Sequence, residues 1–240
     1  MKKTFAVTAM LLLLTATMAT ASETAWRINI RADNGSGGYY GYYAQIGVAT
    51  NGTDGVDQLD IPCNWAGDMY PQQNAHVVSV IPTDAVKTYM TGIQQGIPPT
   101  YPNVWDVRVG AAKNAPYTTM RVYFTTTSTP AVMPPLTTAD GTPLAFKLKM
   151  INNRGVAGAP ANGTEWDVPI PTAEVITAPG FFSLTLPVLK LSSEVGDATM
   201  RSEGYQFEFR QEVVPEPSGL LTLSTSLFSL VGLVTRRRKA

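Results

Sequence analysis

The 240-residue chain contains one cysteine, Cys63, and one histidine, His76. A single cysteine excludes a disulfide within the chain, so a folded domain must depend on its apolar core for stability. One histidine excludes metal sites built from several histidines, and a hydrolytic triad would need His76 itself. No G-x-x-x-x-G-K, C-x-x-C, H-E-x-x-H or G-x-S-x-G pattern is present. These absences favour a non-catalytic protein, with Cys63 as a small apolar residue and His76 as an ordinary strand residue.

Basic residues are also scarce in the middle of the chain. The whole sequence has 18 basic and 18 acidic residues, but six of the basic residues lie in the first 21 or the last 26 positions. Only one acidic residue, Glu216, lies in those two segments, which leaves 12 basic and 17 acidic residues between them. A mildly acidic chain without a basic stripe argues against a nucleic-acid partner.

The first 21 residues have the three parts of a secretory signal peptide. Lys2 and Lys3 precede an apolar run from Phe5 to Leu14, and Ala19 and Ala21 form an A-x-A arrangement. This order of charge, apolar run and small residues is typical of a signal peptide rather than of a buried core helix. We expect cleavage after Ala21 and export of the remaining chain.

The last 26 residues combine a Pro-Glu-Pro, an apolar segment and a basic cluster. A helix over the 15 residues from Leu220 to Val234 would reach about 22 Å, whereas a bilayer core is about 30 Å thick. Arg236, Arg237, Arg238 and Lys239 would hold the C-terminal end on the cytoplasmic side. Pro215 and Pro217 cannot extend a helix and keep Glu216 in extended, accessible backbone. A permanent short anchor and an amphipathic surface helix are the alternatives to a removable tail.

This tripartite tail resembles the PEP-CTERM sorting signal of Gram-negative bacteria. The resemblance covers residues 215–240 and implies that Pro215, Glu216 and Pro217 are the recognised motif. It also implies that Arg236, Arg237, Arg238 and Lys239 are the transfer stop. In that family a membrane-embedded processing enzyme, an exosortase, acts on the tail, and many members are surface or matrix proteins associated with exopolysaccharide and biofilm. The expected domains are a signal peptide (1–21), an ectodomain (22–212) and a sorting and transmembrane tail (213–240).

The ectodomain is dominated by period-two alternation of apolar and polar residues, which predicts β-strands. The inward-facing sets are Trp26, Ile28 and Ile30; Trp105, Val107 and Val109; Met120, Val122 and Phe124; Leu144, Phe146, Leu148 and Met150; Phe182, Leu184 and Leu186; and Tyr205, Phe207 and Phe209. Residues between them, such as Asn29, Arg108 and Tyr123, are expected on the opposite face. Because one-sided burial marks antiparallel sheets that must cover one another, we predict an all-β fold. Its expected form is an antiparallel β-sandwich, immunoglobulin- or jelly-roll-like, flanked by the signal helix and a C-terminal hydrophobic helix.

One segment between the strands predicts a helix. In TDAVKTYMTGIQQG, Thr83 is a candidate N-cap, and Val86, Tyr89, Met90 and Ile93 follow the i, i+3, i+4, i+7 spacing. The other connections are rich in Gly, Pro, Asn and Asp, as expected for turns.

A cluster of carboxylates lies in the stretch IGVATNGTDGVDQLDIP. Asp54, Asp57 and Asp60 lie three residues apart with Gly52 and Gly55 between or beside them. Carboxylate oxygens are the ligands that Ca²⁺ takes, so these residues are candidate calcium ligands. The alternative is an acidic turn that caps the ends of strands, and in that reading the protein needs no cofactor.

The region around this cluster resembles a bacterial extracellular β-sandwich module that is generally non-catalytic. The resemblance rests on WRINIRADNGSGG, IGVATNGTDGVDQLDIP, VWDVRV and LTLPVLKLSSEVGDATMRSEGYQFEF. The chain departs from that pattern at Asn51 and Gly52 and again at Cys63 and Asn64.

Four tyrosines in GGYYGYYAQ raise a second function, a carbohydrate-binding module with or without calcium. Tyr40 and Tyr42 are the candidates for stacking on sugar rings, although half of the tyrosines in a strand must point inward. The partners expected from the sequence are therefore an exosortase-type enzyme, the inner membrane for a limited time, and a polysaccharide. The expected final location is the cell surface or the extracellular space.

Overall fold

The computed structural model describes residues 26–35, 41–49, 52–53, 55–63, 76–82, 85, 87, 89–95, 101–127, 133–192 and 197–214. Ala19, Ala21, Tyr40, Asp54, Pro215, Glu216, Pro217, Arg236, Arg237, Arg238 and Lys239 all lie outside these residues. The predictions made for those positions therefore stay predictions.

The described residues form eleven strands and one short helix. The strands are β1 (Trp26–Asp33), β2 (Gly41–Tyr42), β3 (Ala44–Ala49), β4 (His76–Ile81), β5 (Thr91–Gln95), β6 (Asn103–Ala111), β7 (Thr119–Thr126), β8 (Leu144–Asn152), β9 (Glu165–Asp167), β10 (Phe182–Pro187) and β11 (Tyr205–Val213). The helix is α1 (Asp197–Glu203). The prediction of an all-β fold is confirmed.

The strands belong to two sheets. One has five strands in the order β10-β7-β1-β3-β5, and the other has six in the order β2-β4-β6-β11-β8-β9. The inner faces of both sheets contribute side chains to a single apolar core. Among the described residues, three aromatic pairs cross between the sheets: Trp26 with Trp105 at a centroid distance of 5.7 Å, Trp26 with Phe146 at 5.9 Å and Phe124 with Phe209 at 5.5 Å. One shared core of this kind supplies the stability that disulfides cannot supply here.

The prediction of purely antiparallel sheets is wrong at two strand pairs. β2 pairs with β4, and β3 pairs with β5, in parallel. Before β6, the chain passes from the six-stranded sheet into the five-stranded sheet twice, from β2 to β3 and again from β4 to β5. The two crossings run side by side in the same direction. The strands that enter them, β2 and β4, are therefore parallel neighbours in one sheet, and the strands that leave them, β3 and β5, are parallel neighbours in the other. The other seven strand pairs are antiparallel.

The predicted inward-facing residues are buried in the core on five of the six strands concerned. On β10, Leu186 is buried, whereas Phe182 and Leu184 are only half-buried because β10 is an edge strand. The opposite faces are less exposed than the alternation suggests, since Asn29 is 5% and Arg108 is 8% exposed. The Asn29 amide donates to the Thr126 carbonyl, and the Arg108 guanidinium donates two hydrogen bonds to Asp106. The buried side chains of Asn29 and Arg108 are therefore hydrogen-bonded, as burial requires.

The helix predicted within residues 83–96 is wrong where the chain is described. Thr91–Gln95 is strand β5, and Tyr89 exchanges two backbone hydrogen bonds with Val80. Helical spacing of apolar residues is overridden here because β5 completes the five-stranded sheet beside β3. The seven-residue α1 stands where a turn was predicted. Within the described part of the chain, no helix is long and apolar enough to cross a bilayer.

Both ends of the described domain lie at the same end of the two sheets. β1 begins at Trp26, whose ring contacts Phe146 at a centroid distance of 5.9 Å. Two residues before Phe146, Leu144 pairs with Val213, the last residue of β11. The end of β3, the start of β6, the end of β7 and the start of β8 lie at this level too. We call this the exit end of the domain.

Alkaline pH should destabilise the fold through Tyr205. Its hydroxyl donates to the Pro187 carbonyl at 3.1 Å, and burial raises the pKa of Tyr205 to about 12. The unfolded side chain has a pKa of about 10, so the folded chain holds this proton more tightly. The associated stability is fully present below pH ~10 and is lost as the pH rises towards ~12, by up to about 1.4 kcal/mol per pH unit.

Urea unfolding across this alkaline range, on the natural chain and on Tyr205→Phe, measures the effect. The variant lacks the titrating hydroxyl, so its free energy of unfolding should fall less steeply with pH. Equal slopes in the two proteins would show that Tyr205 does not carry the effect.

Candidate functional site

The described residues of the predicted calcium cluster lie in one loop beside an edge strand. The acidic loop, residues 52–62 apart from Asp54, follows β3 and packs against β5, the edge strand of the five-stranded sheet. An uncovered edge strand exposes unpaired backbone groups to other chains. The question is therefore whether the carboxylates face a ligand or this edge.

The Asp57 carboxylate closes the loop on itself. Its Oδ1 accepts a hydrogen bond from the Leu59 amide at 2.6 Å, the Asx-turn arrangement in which an Asp side chain binds the backbone two residues on. Its Oδ2 accepts from the Thr53 amide, also at 2.6 Å. Both oxygens of Asp57 therefore hold backbone N–H groups of the same loop.

The Asp60 carboxylate joins the loop to the sheet. Its Oδ2 accepts from the Asp57 amide at 3.2 Å, and its Oδ1 accepts from the Ile93 amide of β5 at 2.9 Å. Asp60 is only 6% exposed. Hydrogen bonds from backbone amides compensate a buried carboxylate for the water it has lost. Asp60 thus occupies an edge N–H group of β5 that would otherwise be open to another strand.

Two further contacts complete the seam between the acidic loop and β5. The Thr91 hydroxyl donates to the Leu59 carbonyl at 2.8 Å and accepts from the Ile61 amide at 2.5 Å. At the other end, Gly52 approaches the strand so closely that an added Cβ would lie 2.6 Å from the Gln94 carbonyl oxygen. The glycine is needed for this approach, and the loop covers the outer edge of β5.

A small pocket lies between the acidic loop and the neighbouring parts of β4, β5 and β6. Its lining residues are Thr53, Gly55, Asp60, Val80, Ile81, Pro82, Gly92, Ile93, Gln94, Val104 and Trp105. The Trp105 indole N–H donates to the Gly92 carbonyl at 2.9 Å, and the Gln94 amide donates to the Val104 carbonyl. Among the described residues of the lining, Asp60 is the one ionisable side chain, and both of its oxygens already accept backbone hydrogen bonds.

Asp57 and Asp60 do not meet the requirement for a metal site by themselves. Within the described residues, no group of three or more His, Cys, Asp or Glu side chains is close enough to hold a metal ion. All four carboxylate oxygens of Asp57 and Asp60 accept backbone N–H groups, which is the role that the alternative reading of the loop assigns to them.

The other residues considered in the sequence have ordinary structural surroundings where they are described. Cys63 is buried in a small apolar cluster with Leu191 and Met200. His76 is the first residue of β4 and pairs with Gly41 and Ala111, and its side chain is outside the description. Tyr42 lies in β2, and its side chain is likewise outside the description.

The outer face of β8, β9 and β11 carries a ladder of paired charges that the sequence analysis did not identify. Lys147 bonds to Glu165 at 2.9 Å and lies 3.4 Å from Glu212, and Arg210 pairs with Glu165, Glu208 and Glu212. The hydrogen bond from Lys147 lowers the pKa of the Glu165 carboxyl. Only the cross-strand register could have revealed these pairs, because their partners are up to 65 positions apart in the sequence. A face of mutually paired charges has little left to attract a charged ligand.

The role of Thr91 was also missed, because its partners lie about 30 positions away. The Asp57 turn, by contrast, has a local signal in the Asp-Gln-Leu-Asp spacing. The acidic loop therefore covers and protects the outer edge of β5.

The chain matches none of the protein-family models, curated proteins or solved structures with which it was compared.

Proposed function

We propose that this chain is the precursor of an exported, non-catalytic protein of the bacterial surface or extracellular matrix. Residues 1–21 direct export, and residues 213–240 are a PEP-CTERM tail that holds the chain briefly in the inner membrane. An exosortase-type enzyme then removes the tail, and the released ectodomain is associated with exopolysaccharide or biofilm. The observation that carries the proposal is the order of Pro215-Glu216-Pro217, apolar segment and basic cluster in one 26-residue stretch.

The arrangement of the ectodomain supports a role of this kind. We propose that its two sheets form a β-sandwich of the immunoglobulin- or jelly-roll-like type, flanked in the precursor by a signal helix and a hydrophobic tail helix. A disulfide-free core shared by two sheets and a protected sheet edge suit a protein that must persist outside the cell. The pocket beside Asp60 supports a non-catalytic role, since the one carboxylate among its described lining residues is engaged by backbone amides.

The carbohydrate-binding alternative receives no comparable support. It depends on Tyr40 and Tyr42 for stacking and, in its calcium-dependent form, on Asp54, Asp57 and Asp60. Two of those three carboxylates are already engaged by backbone N–H groups. We therefore keep polysaccharide as a partner of the exported protein and leave the mode of association open.

Replacing Pro215, Glu216 and Pro217 by alanine should leave an unprocessed precursor in the inner membrane of the native host. Three alanines extend a helix readily, so the variant loses the extended segment that the processing enzyme would recognise. The intact mass of the protein from each cell fraction measures the result. The natural chain should lack Arg236 to Lys239 after processing, and the variant should retain them.

The chain offers a matched control in its second Pro-x-Pro, Pro169-Ile170-Pro171, which neither an apolar span nor a basic cluster follows. Replacing Pro169 and Pro171 by alanine should leave processing unchanged. If the natural protein retains its tail at the surface, or if the triple variant is processed normally, the sorting proposal is wrong.

A further inference from the structure

Exposed aliphatic side chains are concentrated at the exit end of the domain. Six large hydrophobic residues are exposed among the described residues. Five of them belong to this end, namely Val56, Val104, Leu136, Ile176 and Val214. The sixth, Ile61, is 55% exposed and lies in the acidic loop beside β5.

Strand pairing and hydrogen bonds place these five residues. Val104 is the second residue of β6, next to Asn103, which pairs with Gln211 near the end of β11. The Leu136 carbonyl accepts from the Leu144 amide at the start of β8.

The remaining three residues lie at the same level. Ile176 follows Val175, which exchanges hydrogen bonds with Thr126 at the end of β7. Val56 lies in the acidic loop that leaves the end of β3, and Val214 directly follows β11.

The opposite end of the domain is polar by comparison. Its described turns expose Lys113 and Asn114 after β6 and Asn162 in the connection from β8 to β9. Single exposed apolar residues are normal on any protein surface and call for no explanation. Their concentration at one end of this domain does call for an explanation. Removing apolar surface from water is favourable by roughly 25 cal/mol per Å², so such an end favours contact with another apolar surface.

The continuation of the chain indicates what this end meets. The Val214 amide donates to the Pro143 carbonyl at 2.9 Å, and the next residue is Pro215. The five residues from Pro215 to Gly219, even fully extended, add only about 17 Å before the apolar segment that begins at Leu220. A tail inserted in a bilayer would therefore hold the exit end within a short distance of the lipid surface. The β1 strand also starts at this end, so the uncleaved signal segment would approach the bilayer from the same side.

We propose that the exit end rests on the lipid surface while the tail holds the precursor in the membrane. This inference rests on the proposed function, since it requires insertion of the tail. The charged residues of this end include Asp57 and Asp140 as well as Arg27, so the contact is made by aliphatic groups rather than by attraction to anionic lipid. A weak contact suffices, because a short tether gives an effective concentration in the millimolar range.

A lipid-borne nitroxide quencher tests this contact in the full-length precursor inserted into phosphatidylcholine vesicles. A polarity-sensitive fluorophore is attached at Leu136→Cys and, as the matched control at the opposite end, at Asn114→Cys. Cys63 is buried and should label poorly. Quenching of the Leu136 probe should exceed that of the Asn114 probe several-fold, and added anionic lipid should not increase it.

A second variant separates apolar contact from mere tethering. Replacing Val104 and Ile176 by aspartate, in the chain labelled at position 136, should reduce the quenching although the tail is unchanged. If the chain floats with the vesicles but the two probes are quenched equally, or if the aspartates have no effect, the lipid contact is wrong and tail insertion stands. If the chain does not float with the vesicles, tail insertion itself is wrong and the contact falls with it.

Discussion

Replacing Phe209 by alanine is expected to lower the free energy of unfolding by about 3–5 kcal/mol. Phe209 is fully buried on β11, and its ring meets Phe124 of the other sheet at a centroid distance of 5.5 Å. It also contacts Trp105 at 5.7 Å and Phe146 at 6.2 Å. Removing the ring leaves a cavity at the point where the two sheets meet, and the surrounding rings cannot close it without losing their own contacts. Equilibrium urea unfolding of the variant and the natural chain gives the difference.

Phe182→Ala is the matched control, because this ring contacts Phe124 at 5.4 Å but is only half-buried on the edge strand β10. Its loss should be clearly smaller, since a half-exposed site leaves no closed cavity. Comparable losses for the two variants would contradict the placement of Phe209 at the centre of the core.

Replacing Asp60 by alanine is expected to cost about 2–6 kcal/mol, because two backbone N–H groups lose their acceptor and each such loss costs roughly 1–3 kcal/mol. The two N–H groups are those of Asp57 and Ile93. Their loss frees the acidic loop from β5, so the edge of the five-stranded sheet becomes available to other chains. We therefore expect a lower urea midpoint together with light scattering at protein concentrations that leave the natural chain clear.

Asp140→Ala is the control for this experiment. Asp140 also accepts from a backbone amide, that of Thr142, but it is exposed and lies in a turn away from any strand edge. Its loss should be small, and scattering should not change. If Asp140→Ala is as harmful as Asp60→Ala, or if Asp60→Ala is stable and clear, the loop does not protect the edge.

The alternation of apolar residues was sufficient to predict the inner faces of β1, β6, β7, β8 and β11. Trp26, Ile28 and Ile30 repeat every second residue and are buried together, since a strand places alternate side chains on one face. Alternation could not predict which side chains of the opposite face are buried. Asn29 and Arg108 are buried there and donate to the carbonyls of Thr126 and Arg201, which are more than 90 positions away in the sequence.

The parallel strand pairs and β5 could not be predicted for the same reason. Ile93 satisfies a helical spacing with Tyr89 and Met90, and no local feature shows that residues 91–95 lie beside β3. Residues 91–95 form a strand because they pair with β3, which lies more than 40 positions earlier in the sequence. Local propensity is a weak guide wherever a sheet lacks a strand that the segment can supply.

The acidic loop is visible in the sequence as a concentration of carboxylates, which fits either a calcium site or a turn that caps strand ends. A metal ion and a row of backbone amides both present positive charge to an oxygen, so both select aspartate at short spacing. Which of them faces Asp57 and Asp60 depends on the position of the Ile93 amide, and that position is set by the sheet.

The strand that leads to the tail lies in the interior of its sheet, with β6 on one side and β8 on the other. A pull on a C-terminus fixed to a surface would therefore act along β11 and load both of its hydrogen-bond ladders in shear. In that direction many bonds must yield together, whereas a strand peeled from an edge yields one bond at a time. The domain would therefore resist a pull transmitted from the membrane through the proposed tail.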